Sequence, residues 1–348
     1  MKPFEELTHQ GQIRRMRRLV QCALNAYDLA DIRFKFLRQA GNTLFQVNEA
    51  NPTLITKANL YAPGQYLLRI HQPGYQAPTA VELELEWLSS MCRDADLPVP
   101  EPVLTLDGRL YTQVAIPGIP EKRICSLLRW VNGHELKREG IRPHHYKALG
   151  ELVARLHNHA AYWKPPVGLS KRKYDWDGLF RKEGEEGIPS SEAWLLLPPE
   201  YTEPFEIISR KVKQVMDKWG KGPDVYGLIH GDLGMEANVL FWNGDVRIID
   251  FDDSGFGYYI FDLSIVLEDS QDHQIQPQFR DALLNGYTRV RPLSEDQIIN
   301  VDLFLAAFAV YWSLYAADAV QYHPENREEI FKRMSRYFRL VENYLANN

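Results

Sequence analysis

The stretch from Leu228 to Ser254 restricts the fold more than any other part of the chain. Two short β-branched or aromatic runs, Val239–Phe241 and Val246–Ile249, flank Trp242-Asn243-Gly244-Asp245. An Asn-Gly pair between such runs is the strongest short hairpin signal. With Asn243-Gly244 as the turn, Phe241 faces Val246, and Asn238 falls roughly opposite Ile249 and Asp250, with Cα atoms about 5 Å apart across the ladder. An amide oxygen and a carboxylate then converge. Oxygen ligands in twos, completed by phosphates and water, are how proteins usually hold magnesium. Asp232, in the loop before the hairpin, would sit beside that metal as a second kind of carboxylate.

His230-Gly231-Asp232 followed by Asn238, and then Ile249-Asp250-Phe251-Asp252, resemble the catalytic loop and metal-binding segment of the aminoglycoside phosphotransferase and choline kinase-like family, including its homoserine kinase-like branch. The resemblance covers roughly residues 30 to 320. It implies an α+β fold of the bilobal protein-kinase-like type, with a small antiparallel-sheet N-lobe and a mainly helical C-lobe. The expected division is a helical segment at 1–29, a nucleotide-binding lobe at 30–128, and a lobe at 129–348 with the catalytic loop, metal site and acceptor site. The resemblance further implies Asp232 as the catalytic aspartate, Asn238 and Asp250 as Mg2+ ligands, and ATP as the phosphoryl donor. One departure is visible: the family usually has four residues between the Asp and the Asn, whereas Leu233 to Ala237 make five. The extra residue is expected to bulge within Gly234–Ala237; the alternative is that Glu236 enters the metal shell.

A chain of 348 residues, 45% hydrophobic, can bury a sizeable core and is expected to form two lobes, since single cores stop growing near ~250 residues. Its net charge of −6 with interspersed signs argues against a nucleic-acid protein and suits a cationic small molecule. Cys22, Cys92 and Cys125 are odd in number and widely spaced, so neither a disulfide framework nor a zinc site is indicated. Acids near the N-terminus stand where a signal peptide needs an apolar run. Leu303–Ala317, the most apolar segment, falls short of the ~20 residues needed to span a bilayer and reads as a buried helix. A cytoplasmic protein without membrane or nucleic-acid partners is expected; nothing in the sequence assigns an oligomeric state.

Along the chain, Ile13, Met16, Leu19, Val20, Ala23, Leu24 and Tyr27 recur at helical spacing, opposite Arg14, Arg15, Arg17 and Arg18 on a solvated face. From Ile32 the period becomes two. Strands are read from Ile32, over Leu44–Val47 and over Gln65–Ile70, with a small-residue turn at Gly41-Asn42-Thr43 between the first two. In kinase folds such a turn lays backbone amides over nucleotide phosphates, and a cation on the third strand holds them. Here that cation is Arg69, which stays charged and grips phosphate in a bidentate way. Its partner is assigned to Glu84 on a helix over 79–92, with Glu82 and Glu86 as rivals. Pro102–Leu106 and Arg109–Ile116 around Asp107-Gly108 read as a second hairpin, and Ile124–Val131 as the strand leading to the hinge. Resemblance places adenine against backbone groups near Arg129 and Val131.

Beyond the hinge, Leu149, Leu152, Val153 and Leu156 mark a helix in which His157 reads as a buried strut. The tract Glu183–Glu200 reads as loop, and Gly255–Tyr259 as a glycine-rich turn. Asp262 is expected to cap the next helix or to brace the catalytic loop, with His230 as further structural support. Asp252 and Asp253 are candidates for a second metal or for acceptor contacts. Tyr311, Trp312, Tyr315, Tyr322 and His323 line an acceptor pocket or belong to core.

The expected activity is an ATP- and Mg2+-dependent phosphotransferase acting on a small-molecule hydroxyl, such as that of an aminoglycoside, choline or an amino alcohol. The rivals are a nucleotide-binding pseudokinase acting as a regulatory scaffold, and a kinase of protein Ser/Thr.

Overall fold

The computed structural model describes residues 2–52, 57–180, 192–268, 276–322 and 327–348. The chain forms two compact units, one of residues 1–134, 165–170 and 240–252, the other of 135–164, 171–239 and 253–348.

The first unit opens with α1 (His9–Leu24), whose first turn is capped by Thr8, its Oγ1 accepting from Gly11 N at 3.3 Å. Five antiparallel strands follow: β1 (Ile32–Ala40), β2 (Asn42–Glu49), β3 (Tyr61–Ile70), β4 (Thr112–Val114) and β5 (Arg123–Val131). Their order is β1-β2-β3-β5-β4, and α2 (Pro78–Asp94) lies between β3 and β4 in sequence. Alternation decides what each face carries. Phe45 and Val47, Tyr66, Leu68 and Ile70, and Cys125 and Leu127 form one core with Met16, Leu19, Val20, Ala23 and Leu24 of α1. Each fully buried aliphatic side chain there contributes roughly 1.5–3 kcal/mol of apolar transfer. The intervening positions turn the other way, so Arg69 lies on the opposite face, paired in register with Leu44 and Ser126.

Two expectations for this unit change. Only Thr112–Val114 of the second hairpin joins the sheet, while Pro102 makes an isolated bridge to Leu128. Pro98, Pro100 and Pro102 lack the N–H donors that a ladder needs. The turn itself forms, with Thr105 N donating to Arg109 O at 2.8 Å and Gly108 at φ +78°. In β1 the ladder shifts register between Phe36 and Arg38, an irregularity not expected from the alternation of Ile32, Phe34 and Phe36.

The chain continues through α3 (Pro143–Tyr162), β6 (Lys173–Tyr174), α4 (Trp176–Phe180), α5 (Ala193–Leu196), α6 (Pro199–Trp219) and β7 (Tyr226–Ile229). Next comes the hairpin of β8 (Val239–Trp242) and β9 (Asp245–Ile248), in which Asn243 and Gly244 both take positive φ, 51° and 87°, as a two-residue primed turn requires. From Leu240 onward this hairpin belongs to the first unit, where Arg247 donates to the carbonyls of Asn59, Leu60 and Asn132. The remainder is β10 (Gly255–Tyr258), α7 (Tyr259–Glu268), α8 (Gln276–Thr288), α9 (Glu295–Ile299), α10 (Val301–Tyr322) and α11 (Arg327–Asn347).

Gly255–Tyr258 is thus a strand, paired with β7 and β6, and not the turn expected from its glycines. A Cβ on Gly257 would lie 2.5 Å from Ile229 Cδ1 and 2.9 Å from Tyr174 Cβ, so glycine here serves close approach rather than turning. The described part of the tract expected as loop up to Glu200 holds α5 and the start of α6, with Pro199 in the first turn, where its missing N–H costs nothing. Residues 183–191, His323 and the side chain of Tyr322 lie outside the described set. α10 runs for 22 residues, longer than the expected fifteen. Val301–Val320 is long and apolar enough to cross a bilayer, and 78% of its most apolar stretch is buried inside the protein.

Candidate active site

In the second unit, β7 delivers the chain to His230-Gly231-Asp232. Gly231 has φ +80°, and a Cβ there would lie 2.6 Å from Asp253 O. Asp262 holds this turn with both carboxylate oxygens. Oδ1 accepts from Gly231 N at 2.8 Å, and Oδ2 accepts from His230 N at 2.8 Å and pairs with His157 Nε2 at 3.1 Å. His157 Nδ1 pairs with the Tyr287 hydroxyl at 2.9 Å. All four side chains are fully buried.

Burial pushes the Asp262 carboxyl up, but His157, His230 and the Gly231 amide outweigh it and hold the group below the usual carboxylate range. Burial also pushes the His157 imidazole down, past the opposing pull of Asp262. An ionised aspartate beside a neutral histidine results. α7 begins three residues before Asp262, so the carboxylate serves the His230–Asp232 loop and not the amides of its own helix, as the capping expectation had it.

Asp232 is half-buried and Asn238 buried. Asn238 Nδ2 donates to Asp232 O at 2.7 Å and to Asp232 Oδ2 at 2.9 Å, which turns the amide oxygen of Asn238 away from Asp232. The five-residue connection closes as a turn, with Ala237 N and Asn238 N both donating to Gly234 O at 3.2 and 3.0 Å. Gly234–Ala237, where the extra residue was expected, is thus a turn. Glu236 pairs with Arg138 at 2.8 Å.

The first unit carries the other expected residues. Arg69 and Glu84 form a buried ion pair, their side chains 3% and 0% exposed, whereas among the described residues no ion pair of Glu82 or Glu86 with Arg69 is seen. Burial alone would lower the Arg69 pKa, but Glu84 foremost, with Asp252 and Asp250, raises it, so the guanidinium stays charged. Asp250 follows β9 with φ +66°, an uncommon left-handed conformation for a non-glycine residue. Its Oδ2 accepts from Arg38 at 3.1 Å. Gly41 alone forms the turn between β1 and β2. Asn42 and Thr43 are buried; Asn42 donates to Asp252 Oδ2 at 3.0 Å and accepts from Gln72 N at 3.1 Å, while Asp252 O accepts from Gln76.

In the segment expected as hinge, Arg129 N donates to Glu101 O at 2.9 Å and its side chain pairs with Glu101 at 3.0 Å. Val131 pairs with Tyr61 and packs with Tyr61 and Leu240, flanked by Leu60 and Ile249.

Back in the second unit, Asp253 pairs with Arg172 at 2.8 Å, and the Tyr174 hydroxyl donates to Asp253 O at 2.6 Å. Burial pushes the Tyr311 hydroxyl up to about 12, against the pull of Arg172. The Tyr315 pKa is raised by burial, then by Asp253, with Asp318 and Asp232 adding to it. Both hydroxyls therefore stay protonated beside a set of carboxylates.

Sequence reading passed over Arg38, Arg172 and Tyr174. For Arg38 a signal existed: Phe36-Leu37 sets two apolar residues side by side in an alternating strand, the mark of the register shift that re-aims the next side chain. For Arg172 and Tyr174 none did, since their neighbours come from distant parts of the chain.

Comparison with known proteins bears on this arrangement. The profile of the APH family, described as a phosphotransferase enzyme family, matches residues 31–295. A microcompartment-associated aminopropanol kinase superposes with a TM-score of 0.75 at 24% identity, covering 95% of this chain and 98% of that one. An amicoumacin kinase solved with AMP-PNP, Ca2+ and its antibiotic superposes with a TM-score of 0.74 at 19% identity, covering 97% and 96%. In sequence, a homoserine kinase of Neisseria meningitidis serogroup B is 25% identical over 252 residues, 70% of this chain and 73% of that protein.

Proposed function

The chain belongs to the phosphotransferase enzyme family and is a small-molecule phosphotransferase, and from that premise we propose that it moves the γ-phosphoryl group of ATP, with Mg2+, onto a hydroxyl of a small cationic molecule such as an amino alcohol. The observation that carries the reading is the braced catalytic loop, in which Asp262 grips the His230 and Gly231 amides and so fixes the backbone from which Asp232 projects.

Asp232 accepts a hydrogen bond from the acceptor hydroxyl and orients its oxygen toward the γ-phosphorus. As the new O–P bond forms and the bond to the β,γ-bridging oxygen breaks, ADP leaves and the hydroxyl proton passes to the aspartate. A carboxylate is a weak base for an alcohol, so this proton moves late. Arg69, held in place by Glu84, contributes fixed positive charge toward the nucleotide phosphates. The apolar set around Val131 and Leu240 accepts the adenine ring.

The donor chemistry of Asn238 and Asp250 suits Mg2+. One offers an amide oxygen turned away from Asp232, the other a carboxylate that already attracts a cationic partner, and hard oxygen donors are what this ion takes. When bound, Mg2+ offsets phosphate charge. A cationic acceptor is supported by the carboxylates of Asp232, Asp253 and Asp318 around the Tyr315 hydroxyl, with Arg172 as the one opposing charge among the groups that shift it. The aminopropanol, amicoumacin and homoserine kinases among its relatives carry names that fit an amine-bearing acceptor.

The test is an ATP-consumption screen over hydroxyl-bearing amines, with neutral polyols as controls, run on the wild type and on Asp232→Asn. Turnover on at least one amine is expected, with a loss of about 100-fold or more in kcat for the variant and nearly unchanged nucleotide affinity. Unaltered turnover in Asp232→Asn would remove Asp232 from the mechanism.

A further inference from the structure

The sequence directs attention to Arg69 as the cation for the nucleotide phosphates, and the structure makes that assignment incomplete. Arg69 is 2% exposed, and its guanidinium is tied to Glu84 in a buried pair. A guanidinium so enclosed contributes charge through space but has little surface to offer an incoming ligand. The triphosphate of ATP brings about four negative charges, and a single divalent ion offsets only half of them.

Arg38 stands where a second cation is needed. It lies at the end of β1, three residues before the Gly41 turn, and follows the register shift after Phe36. Its side chain is 62% exposed, yet it reaches Asp250 Oδ2 at 3.1 Å. Asp250 is 29% exposed and is the residue assigned above to the metal. The guanidinium therefore sits on the carboxylate oxygen that a divalent ion would take. An ion pair this exposed is weak, since water screens it and two side chains must be ordered to make it. Exchanging it for contacts with polyphosphate oxygens replaces one carboxylate with a ligand of higher charge, in the bidentate geometry that arginine favours.

We propose that Arg38 is a second phosphate-binding residue of this enzyme, which releases Asp250 to the metal and grips the β- and γ-phosphates when a nucleoside triphosphate binds. The inference rests on the ATP and Mg2+ reading given above. It separates two roles that one lysine fills in related folds: Arg69 supplies fixed charge from within the sheet, and Arg38 supplies the exposed fork. Lys35, exposed on the same strand, provides a control that removes an equal charge.

Isothermal titration of ATP and of AMP, each with excess MgCl2, into wild type, Arg38→Ala, Arg38→Lys and Lys35→Ala tests it. Circular dichroism confirms that each variant is folded; Arg38 is exposed, so folding is expected to survive. Arg38→Ala should weaken ATP binding about tenfold or more while AMP affinity stays within about threefold, and Arg38→Lys should recover part of the loss. Lys35→Ala should leave both ligands unchanged. Equal losses in Arg38→Ala and Lys35→Ala, or unchanged ATP affinity in Arg38→Ala, overturn the role of Arg38 while leaving the ATP reading intact. Absence of ATP binding to the wild type overturns both.

Discussion

Both oxygens of the Asp262 carboxylate are engaged with the loop that carries Asp232, and one also meets His157, so the protonation of this buried pair sets the loop's geometry. The folded-state pKa of each partner lies below its ordinary value. A depressed folded pKa means that the unfolded chain binds the proton more readily, so the stability it contributes is present above the unfolded pKa and lost as pH falls. For His157 that loss starts as pH drops through about 6.5, and for Asp262 below about 3.9. Thermal melts between about pH 8 and pH 5 should show a falling Tm on the acid side, and His157→Gln, which keeps a donor but cannot titrate, should flatten that slope. An unchanged slope in the variant would place the titrating group elsewhere.

At this scale the sequence was informative where chemistry and spacing coincide. Glu84 was chosen over its rivals Glu82 and Glu86 on the same helix and does pair with Arg69, and the Asn-Gly turn located the ends of the β8–β9 hairpin. Asp262 was visible as structural, but its two readings differed by where the helix begins, and helix starts are poorly marked when the first turn is apolar, as Tyr259-Ile260-Phe261 is here. Asn42 was read as part of a phosphate-facing turn; its side chain instead ties Gln72 and Asp252 together inside the first unit.

Elements with a strong period of their own were legible. α1, α2, α3, β2 and β3 each carry the alternation or helical stripe that matches the face they bury, so local preference and packing agree. β10 lacks such a pattern. Its partners lie some 30 and 80 residues upstream in β7 and β6, and its glycines satisfy approach by their side chains rather than any preference of the segment itself. Gly257→Ala should therefore cost about 1–3 kcal/mol by overpacking against Ile229 and Tyr174. Because β7 leads directly into His230, the same change should lower kcat in the protein that remains folded. Urea unfolding with activity normalised to folded protein measures both, and a variant with wild-type stability would show that the strand has slack.

For the molecule as a whole, ligand linkage provides the most direct check. A nucleotide that binds only the folded chain adds about 2.7 kcal/mol at 100 times its Kd, and a divalent metal that shares its site must act with it. ATP with MgCl2 should raise Tm by several degrees, ATP with EDTA by much less, and MgCl2 alone hardly at all; equal shifts with and without metal would argue against Asn238 and Asp250 as a metal pair.

Each of the two units is assembled from three separate stretches of chain. This has a consequence for how such a protein can be cut, recombined or inherited. No single break in the gene yields either unit whole. A fragment ending at residue 134 would keep the five-stranded sheet and the Arg69–Glu84 pair, but would leave behind residues 240–252, and with them Arg247, which holds three carbonyls of that unit, and Asp250, the partner of Arg38. The two units are therefore not exchangeable cassettes, and variation must arise by substitutions and loop changes within one continuous reading frame.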